Sequence, residues 1–255
     1  MDTDTGGYLR SLFGLESKRA LVTGASSGLG AASAAALAAA GADVVVSGRD
    51  AERTRAVADR IGGAAEVADL LEPGAAEGLA SRVLDGGPVD VLVNAAGIFE
   101  RDTGEQTTQE SWDRVLFLNT TVTFVLCQAI GRQMIERGGG KIVNFASTDG
   151  MVGVPEQSAY CASKGAVVQL TRTLGAEWIK HGVNVNAVGP CDFDTPMIAG
   201  ALDDPEYADW IVQAIPAGRI GQARELAGAA IYLASDASDM VAGHMLMVDG
   251  GRTII

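Results

Sequence analysis

The 255-residue sequence is poor in the residues that build metal centres and disulfide frameworks. Its three cysteines, Cys127, Cys161 and Cys191, form no CxxC pair, and its two histidines, His181 and His244, stand far apart. Structural zinc sites need such residues at short, regular spacings. The sequence therefore predicts no metal site. Its sparse, odd-numbered thiols favour a reducing compartment, which we expect to be the cytoplasm.

Basic charge and membrane-length apolar runs are also scarce. Lys and Arg number 19 against 32 Asp and Glu, so the net charge is −13. This balance argues against nucleic acid as a partner and is typical of a solubilising surface. Because no uncharged apolar run reaches 18 residues, we expect no membrane partner. The first ten residues, MDTDTGGYLR, are acidic and polar, which is unlike a secretory signal peptide.

Aromatic residues make up only 5 % of the chain, so Ala, Val, Leu and Ile must supply most of the core. Short β-branched runs predict strands at 19–24, 42–48, 64–70, 89–97, 140–147, 182–190 and 244–251. Segments with helical spacing predict helices at 30–40, 51–61, 73–84, 110–136 and 158–180. Apolar strands that alternate with helices indicate an α/β domain with a parallel sheet covered on both faces. No linker breaks the series, so a single domain over 1–255 is predicted.

A glycine-rich turn follows the first predicted strand. The stretch TGASSGLG carries Gly24, Gly28 and Gly30 and then opens an Ala-rich helix. Glycines allow close backbone approach, and a helix N-terminus attracts a pyrophosphate. The hydroxyls of Ser26 and Ser27 could add donors to the phosphates. The GxxxGxG spacing differs from the commoner GxGxxG, and a tight βα turn would also explain it, but the position after strand one favours dinucleotide binding.

The end of the second predicted strand bears on the choice of cofactor. The strand ends in Ser47 and Gly48, with no carboxylate to accept from a ribose 2′-hydroxyl, and Arg49 follows at once. An arginine at this place favours a 2′-phosphate. A solvated loop arginine is the alternative, and the neighbouring Asp50 weakens the signal. We therefore favour NADP(H), with NAD(H) as the other possibility.

Tyr160 and Lys164 stand four residues apart in SAYCASKGA, so they lie on one face of a helix. A nearby ammonium lowers the pKa of a tyrosine, which would make Tyr160 a general acid or base. The spacing alone is common among surface pairs. Ser147 ends a predicted strand at the edge where α/β proteins bind ligands, and Asn119 is a polar residue within an apolar helix. A helix-capping Ser and a satisfied helix Asn are the alternatives for these two.

Together these motifs resemble the short-chain dehydrogenase/reductase family over about residues 15–251. The matching pieces are TGASSGLG, Asp69, NAAG, Asn119, IVNFAS, YCASK, NAVGP followed by Thr195, and VDGG. The resemblance is strongest to the group of gluconate 5-dehydrogenases, 2-deoxy-gluconate 3-dehydrogenases and 3-oxoacyl-carrier-protein reductases. It implies a doubly wound Rossmann-type fold of about seven parallel strands. It also implies NAD(P)-dependent interconversion of an alcohol and a carbonyl.

The resemblance also implies roles for individual residues. Tyr160 would be the acid or base, and Lys164 would hold the nicotinamide ribose and lower the tyrosine pKa. Ser147 would orient the substrate oxygen, and Asn119 would support a water in a proton relay. The cofactor residues would be Gly24, Ser26, Ser27, Gly28, Leu29, Gly30, Arg49, Asp69, Leu70, Asn94, Ala95, Gly97, Tyr160, Lys164, Pro190, Phe193 and Thr195.

Substrate and partners follow less directly. An N-terminal extension at 1–17 and a substrate-loop region at 191–215 flank the predicted core. Polar residues in the loop after strand five suit a sugar acid, a polyol or a similar small polar substrate. Reduction of a 3-oxoacyl carrier protein or another ketone is the alternative, and a non-catalytic NADP-binding regulator is a third. The resemblance implies a homotetramer, or a dimer, built from 110–136, 158–180 and 244–251.

Cys191 stands in GPCDFDT where the family usually has glycine. It has no histidine close in sequence, and Tyr160 already supplies an acid or base. We therefore expect neither a nucleophile nor a metal ligand. A side chain at this position would stiffen the loop and narrow the nicotinamide end of the pocket.

Overall fold

The computed structural model describes residues 5–254, apart from the side chain of Ala201. The first four residues of the predicted N-terminal extension, and residue 255 of the predicted domain, lie outside the described residues. Within residues 5–254 the chain forms seven strands: β1 Arg19–Thr23, β2 Asp43–Gly48, β3 Ala64–Val67, β4 Val91–Asn94, β5 Gly140–Phe145, β6 Val183–Pro190 and β7 Met245–Val248.

Ten α-helices connect and flank these strands in the same described range. They are α1 Thr5–Phe13, α2 Gly28–Ala39, α3 Ala51–Ile61, α4 Ala75–Asp85, α5 Gln109–Leu116, α6 Val122–Arg137, α7 Ser158–Trp178, α8 Ala199–Leu202, α9 Pro205–Gln213 and α10 Ala223–Ala234. A π-helical segment, Phe117–Thr121, joins α5 to α6 without a break.

The seven described strands form one parallel sheet in the order β3-β2-β1-β4-β5-β6-β7. The chain winds outward from β1 to β3, then crosses to β4 and winds outward the other way. This reversal between β1 and β4 opens a crevice at the carboxyl ends of the strands, where such sheets bind ligands. The predicted doubly wound Rossmann-type α/β fold is confirmed.

Alternate residues of each central strand enter two separate cores. Val44 and Val46 of β2 face the layer of α2 and α10, whereas Val45 between them faces the layer of α4 and α6. This follows from the two-residue period of a strand, and it explains why the central strands read as continuous apolar runs. The Ala-rich α2 packs directly on α10, because small side chains let the two helices approach closely.

The elements differ from prediction in three places. The N-terminal extension, for which no helix was predicted, contains the α-helix α1, which contacts the short 3₁₀ turn Asp236–Ser238. The strand predicted at 64–70 ends at Val67, so the residues after it form a loop at the crevice. The helix predicted at 110–136 contains the π-helical segment, which hydropathy spacing does not reveal.

By length and composition alone, the continuous helical run Gln109–Arg137 could cross a membrane. Half of its most apolar window is buried inside the protein. Core helices of proteins outside membranes meet the same criterion, so this run is weak evidence for a membrane span.

Two glycines of α7 offer a matched test of the packing between this helix and the sheet. A Cβ on Gly175 would lie 2.5 Å from the Gly243 nitrogen, whereas one on Gly165 would meet Gly150 oxygen at 3.7 Å, an ordinary contact. Both replacements by alanine raise helix propensity equally. We expect Gly175→Ala to lower the free energy of unfolding by about 1–3 kcal/mol.

Gly165→Ala is the control, and we expect it to be neutral or stabilising by up to about 1 kcal/mol. Urea unfolding monitored by circular dichroism measures both. Equal effects of the two substitutions would contradict the close packing of α7.

Candidate active site

A cavity of about 420 Å³ opens at the carboxyl ends of β1, β2, β4, β5 and β6. Fifteen of the predicted cofactor residues lie on its wall: Gly24, Ser26, Ser27, Gly28, Leu29, Gly30, Arg49, Asp69, Leu70, Ala95, Gly97, Tyr160, Lys164, Pro190 and Thr195. The structure thus brings together groups that are far apart in sequence. That they contact a cofactor stays a prediction.

The glycine-rich turn is shaped so that backbone forms the cavity floor. Gly24 has φ +63°, and a Cβ there would lie 2.7 Å from Ala95 oxygen. A Cβ on Gly30 would lie 2.4 Å from Gly24 oxygen. In the described chain, the Ser27 hydroxyl caps no N–H of the first turn of α2. The turn therefore leaves a helix N-terminus open towards the cavity, a cradle that fits a pyrophosphate.

The end of β2 has no room for an acidic side chain. A Cβ on Gly48 would lie 2.8 Å from Thr54 Oγ1 and 2.9 Å from Ser26 Cβ. The neighbouring carboxylate of Asp50 weakened the sequence evidence for NADP(H). In the structure it caps α3 by accepting from Arg53 N, and it also accepts from Arg53 Nε at 2.8 Å. Arg49 is exposed on the cavity wall. Among the described residues, Arg49 therefore provides the free positive charge at the carboxyl end of β2, whereas the charge of Asp50 is balanced by Arg53.

Asn119 joins three elements through one buried side chain. It lies in the π-helical segment and is 1 % exposed. Its Oδ1 accepts from Ile98 N at 2.8 Å, and its Nδ2 donates to Ile98 O and Ser163 Oγ, both at 3.0 Å. The loop after β4 is thereby tied to α7. Gly97 lies beside this contact, since a Cβ there would be 3.1 Å from Asn119 Oδ1 and 3.6 Å from Lys164 Nζ.

Tyr160, Lys164 and Ser147 meet at the start of α7. Lys164 is buried and donates from Nζ to Phe145 O at 2.8 Å, so the ammonium lies below the end of β5. Its Nζ is 5.6 Å from the centroid of the Tyr160 ring. The Tyr160 ring packs edge-on against Phe99 with centroids 5.2 Å apart. The Ser147 hydroxyl lies close enough to Tyr160 to lower its pKa, and it accepts from Asp149 N at 3.1 Å.

The expected lowering of the Tyr160 pKa by Lys164 is wrong for this arrangement. Burial raises the pKa of Tyr160 above its usual range, and the Asp149 carboxylate raises it further, against the opposing hydrogen bond from Ser147. Burial also lowers the pKa of Lys164 to about 8. Desolvation is the largest cause of the Tyr160 shift, and Lys164 is not among the groups that lower it, so Tyr160 is held in its protonated form.

Acidic groups dominate the end of the site beyond Tyr160. Burial raises the pKa of Asp149, against a hydrogen bond from Thr148. Burial likewise raises the pKa of Asp192 to about 6, although the positive charge of Arg252 opposes the shift. Arg252 Nη1 lies 3.9 Å from Asp192 Oδ2. Asp149 and Asp192 therefore both act on Tyr160 through their charge, and Arg252 is paired with Asp192.

Helix α9 carries two stacked aromatic rings that each contact an arginine. Arg101 lies 4.0 Å from the centroid of the Tyr207 ring, which stacks on Trp210 at 5.6 Å. The guanidinium carbon of Arg252 lies over the Trp210 ring, 5.2 Å from its centroid. Gln157 donates from Nε2 to the Tyr207 hydroxyl at 3.0 Å. Neither arginine belonged to the predicted site, because one follows the NAAG motif and the other follows the VDGG motif, where no sequence pattern marks them.

Two predicted cofactor residues lie away from the cavity wall. Asn94 is buried beneath it and donates to Asn144 Oδ1 at 2.9 Å. Phe193 is also buried, and its ring occupies the space where a Gly221 Cβ would stand, at 2.5 Å. The strands and loops around them place both side chains in the protein interior.

Cys191 is a half-buried thiol that packs against the apolar core. Burial raises its pKa to about 11, and the charges of Asp192 and Asp249 act in the same direction. A thiol with so high a pKa is a poor nucleophile at neutral pH. This supports a local role for Cys191 in the loop after β6. Among residues 5–254, no group of three His, Cys, Asp or Glu side chains could hold a metal ion.

The fold and this site define a nucleotide-binding oxidoreductase that acts on an alcohol or carbonyl. A family model described as enoyl-(acyl carrier protein) reductase matches residues 24–253. The chain belongs to the short-chain dehydrogenase/reductase family.

Known relatives cover nearly the whole chain. It is 41 % identical over 249 residues to the gluconate 5-dehydrogenase of Gluconobacter oxydans (strain 621H), which covers 95 % of this chain and 97 % of that protein. It is 41 % identical over 251 residues to the D-threitol dehydrogenase of Mycolicibacterium smegmatis, covering 95 % of each chain. The crystal structure of a gluconate 5-dehydrogenase from Burkholderia cenocepacia in complex with NADP and tartrate superposes with a TM-score of 0.91. That structure is 38 % identical and covers 97 % of this chain and 99 % of its own.

The buried ammonium makes the stability of the empty protein depend on pH. The pKa of Lys164 is about 8 when folded, below its ordinary 10.5, so between these values the unfolded chain binds more protons. Stability must therefore rise with pH in this window. We expect Lys164→Met to remove the rise, which amounts to about 2 kcal/mol between pH 7 and pH 9.5.

Lys180→Met is the control, because it removes an exposed ammonium just beyond α7. Urea unfolding at the two pH values measures the difference for each variant against the unaltered protein. A Lys164→Met profile parallel to that of the unaltered protein would show that Lys164 is not desolvated.

Proposed function

We propose that this protein is an NADP(H)-dependent oxidoreductase that interconverts a secondary alcohol and a ketone on a polyhydroxylated substrate, with Tyr160 as the acid or base. The observation that carries the proposal is the convergence of Asn119, Ser147, Tyr160 and Lys164 beside the glycine-lined cavity, with Tyr160 and Lys164 on its wall. A nicotinamide cofactor supplies or accepts the hydride when it is bound. The remaining chemistry belongs to the side chains of this chain.

Tyr160 and Ser147 form the oxyanion site. The Ser147 side chain lies beside Tyr160, so both hydroxyls can point to one substrate oxygen. In reduction, the Tyr160 hydroxyl donates its proton to the oxygen as negative charge develops there, and Ser147 stabilises that charge. The raised pKa of Tyr160 keeps it protonated, which is the form that reduction requires. Oxidation is the reverse, with Tyr160 as the phenolate that accepts the proton of the substrate alcohol.

Lys164 and Asn119 position this pair. Lys164 is fixed by Phe145 O, and it can present its ammonium to a nicotinamide ribose and return a proton towards Tyr160. The Asn119 side chain is fully engaged with Ile98 and Ser163. If Asn119 supports a water in the proton relay, its backbone must therefore make the contact. Its side chain instead holds α7 against the loop after β4.

The cavity fits the adenosine and pyrophosphate parts of NADP. The open N-terminus of α2 and the glycine cradle fit the phosphates, and Asp69 lies at the outer wall with its carboxylate accepting from Leu71 N. Arg49 offers a guanidinium where an acid would be needed for an unmodified ribose, and Gly48 leaves no space for that acid. The NADP bound to the Burkholderia cenocepacia enzyme supports the same choice.

A polyhydroxylated substrate, a sugar acid or a polyol, suits the residues beyond Tyr160. Asp149 and Gln157 provide carboxyl and amide groups that bind hydroxyls, and the relatives named above act on gluconate and threitol. Reduction of an acyl carrier protein, the alternative, suits this chain less well, since such a partner is acidic and the net charge here is −13. A non-catalytic regulator would have no need for the four converging side chains.

Assembly and location complete the proposal. We place the protein in the cytoplasm and infer a homotetramer, with a dimer as the smaller form. Exposed apolar side chains on the expected interface helices support association: Trp112 on α5, Phe124 on α6 and Ile179 after α7 are each more than a third exposed. Sedimentation velocity would measure the assembly directly.

Arg49→Ala tests the cofactor assignment. We expect the Kd of NADPH to rise about 10- to 100-fold, because a charged contact to the 2′-phosphate is lost, while the Kd of NADH changes less than about threefold. Fluorescence titration with each cofactor measures both constants. Arg55→Ala on the exposed face of α3 is the control. Equal loss for the two cofactors would refute the preference for NADP(H).

Tyr160→Phe tests the acid or base. We expect turnover to fall by at least about a hundredfold, because no other group donates the proton, while NADPH binding stays within about threefold. Tyr232→Phe removes a phenol hydroxyl from α10 and serves as the control. Initial rates together with cofactor titrations separate the two effects. Retained turnover in Tyr160→Phe would overturn the mechanism.

A further inference from the structure

Arg252 is a buried cation with an unused hydrogen-bond donor. Its side chain is 7 % exposed, and among the described residues its Nη1 has no hydrogen-bond partner. Asp192 Oδ2 lies 3.9 Å away, which is beyond hydrogen-bonding distance. Buried charged donors are normally satisfied, so an unsatisfied one indicates an acceptor that binds there.

The position of this guanidinium is fixed before any ligand arrives. Arg252 belongs to the turn after β7, in which the Asp249 carboxylate accepts from Gly251 N, Thr253 N and the Thr253 hydroxyl. The guanidinium also rests on the Trp210 ring, 5.2 Å from its centroid. Stacking on a ring uses the face of the guanidinium and leaves its edge free for a planar acceptor.

Arg252 lies at the substrate end of the active site. Its partner Asp192 follows Pro190, which lines the cofactor cavity, by two residues. The charge of Arg252 also reaches Asp149, which lies two residues beyond Ser147 and acts on Tyr160. A group bound at Arg252 is therefore attached to a molecule whose other atoms can reach Ser147 and Tyr160.

A second unsatisfied atom lies on the same aromatic stack. Gln157 is buried, and its Oε1 has no partner among the described residues, whereas its Nε2 donates to the Tyr207 hydroxyl. Tyr207 stacks on Trp210, the ring beneath Arg252. The stack thus presents one free donor with positive charge and one free acceptor, which match a carboxylate and a hydroxyl of one small molecule.

We propose that Arg252 binds the carboxylate of a polyhydroxy acid and that Gln157 accepts a hydrogen bond from one of its hydroxyls. The inference rests on the proposed function and narrows its substrate class from sugar acids and polyols to the acids. A carboxylate offers two oxygens in one plane, which suits the edge of a guanidinium. In the protein without substrate, Asp192 balances the charge of Arg252 from 3.9 Å and competes with the substrate for it.

D-gluconate and D-glucitol test this assignment, because they differ only in whether carbon 1 is a carboxylate or an alcohol. We expect Arg252→Gln to raise the KM of D-gluconate about 10- to 100-fold, the loss of a charged hydrogen bond. The kcat for D-gluconate and the KM of D-glucitol should stay within about threefold. Arg137→Gln is the control, since Arg137 pairs with Asp90 at the opposite edge of the sheet.

Asp192→Asn distinguishes a substrate anchor from a structural ion pair. We expect this change to lower the KM of D-gluconate, because Arg252 loses its competitor, so the two substitutions should act in opposite directions. Calorimetric binding of D-gluconate to the NADP⁺-loaded protein provides a readout that does not need turnover. Arg252→Gln should weaken this binding by the same factor as it raises the KM.

Three outcomes would overturn the inference: equal losses for both probes, no change in D-gluconate binding in Arg252→Gln, or tighter binding of D-glucitol than of D-gluconate by the unaltered protein. Failure of the proposed function has a different signature. The unaltered protein would then turn over neither probe, while D-gluconate binding that depends on Arg252 would still support the carboxylate site.

Discussion

The buried amide of Asn119 is the contact on which the rest of the site depends. All its polar atoms are used: Oδ1 accepts from Ile98 N, while Nδ2 donates to Ile98 O and Ser163 Oγ. A buried amide without partners would be costly, so these bonds fix the loop after β4, the π-helical segment and α7 relative to one another. Because Tyr160 and Lys164 lie within one turn of Ser163 on α7, their positions over the carboxyl ends of β4 and β5 follow from this single side chain.

The hydrogen bonds of Asn119 hold two ionisable side chains, Tyr160 and Lys164, in a buried environment that disfavours their charged forms. Burial raises the pKa of Tyr160 and lowers the pKa of Lys164, and the carboxyl of Asp149 adds to the first effect. Such opposed shifts are typical of groups that exchange protons in catalysis. They cost stability in the empty protein, and the surrounding apolar cores on both faces of the sheet offset that cost. The arrangement is therefore a preorganised site within a stable scaffold.

Sequence patterns predicted the scaffold well because strand and helix periodicities are local. The seven strands, the glycine turn and the convergence at the carboxyl edge all follow from such patterns. The π-helical segment at Asn119 was hidden, since one extra residue in a helical turn leaves hydropathy unchanged. Phe193 was assigned to the cofactor through its backbone, which stays a prediction, and only the folded loop shows that its ring packs on Gly221. Arg252 was missed because the turn after β7 brings it to the substrate end of the site, and no residue spacing in the sequence predicts the path of that turn.

The pKa of Tyr160 shows the limit of reasoning from neighbours in sequence. A lysine four residues away predicts a lowered value, but the balance between attraction and desolvation depends on burial, which only the structure supplies. The central claim is that this balanced site carries out NADP(H)-linked oxidoreduction, and absorbance at 340 nm tests it most directly. In a panel of polyhydroxy acids and polyols offered with NADP⁺ and with NAD⁺, we expect cofactor reduction with NADP⁺ and at least one such substrate. Tight cofactor binding with no reduction across the whole panel would contradict it.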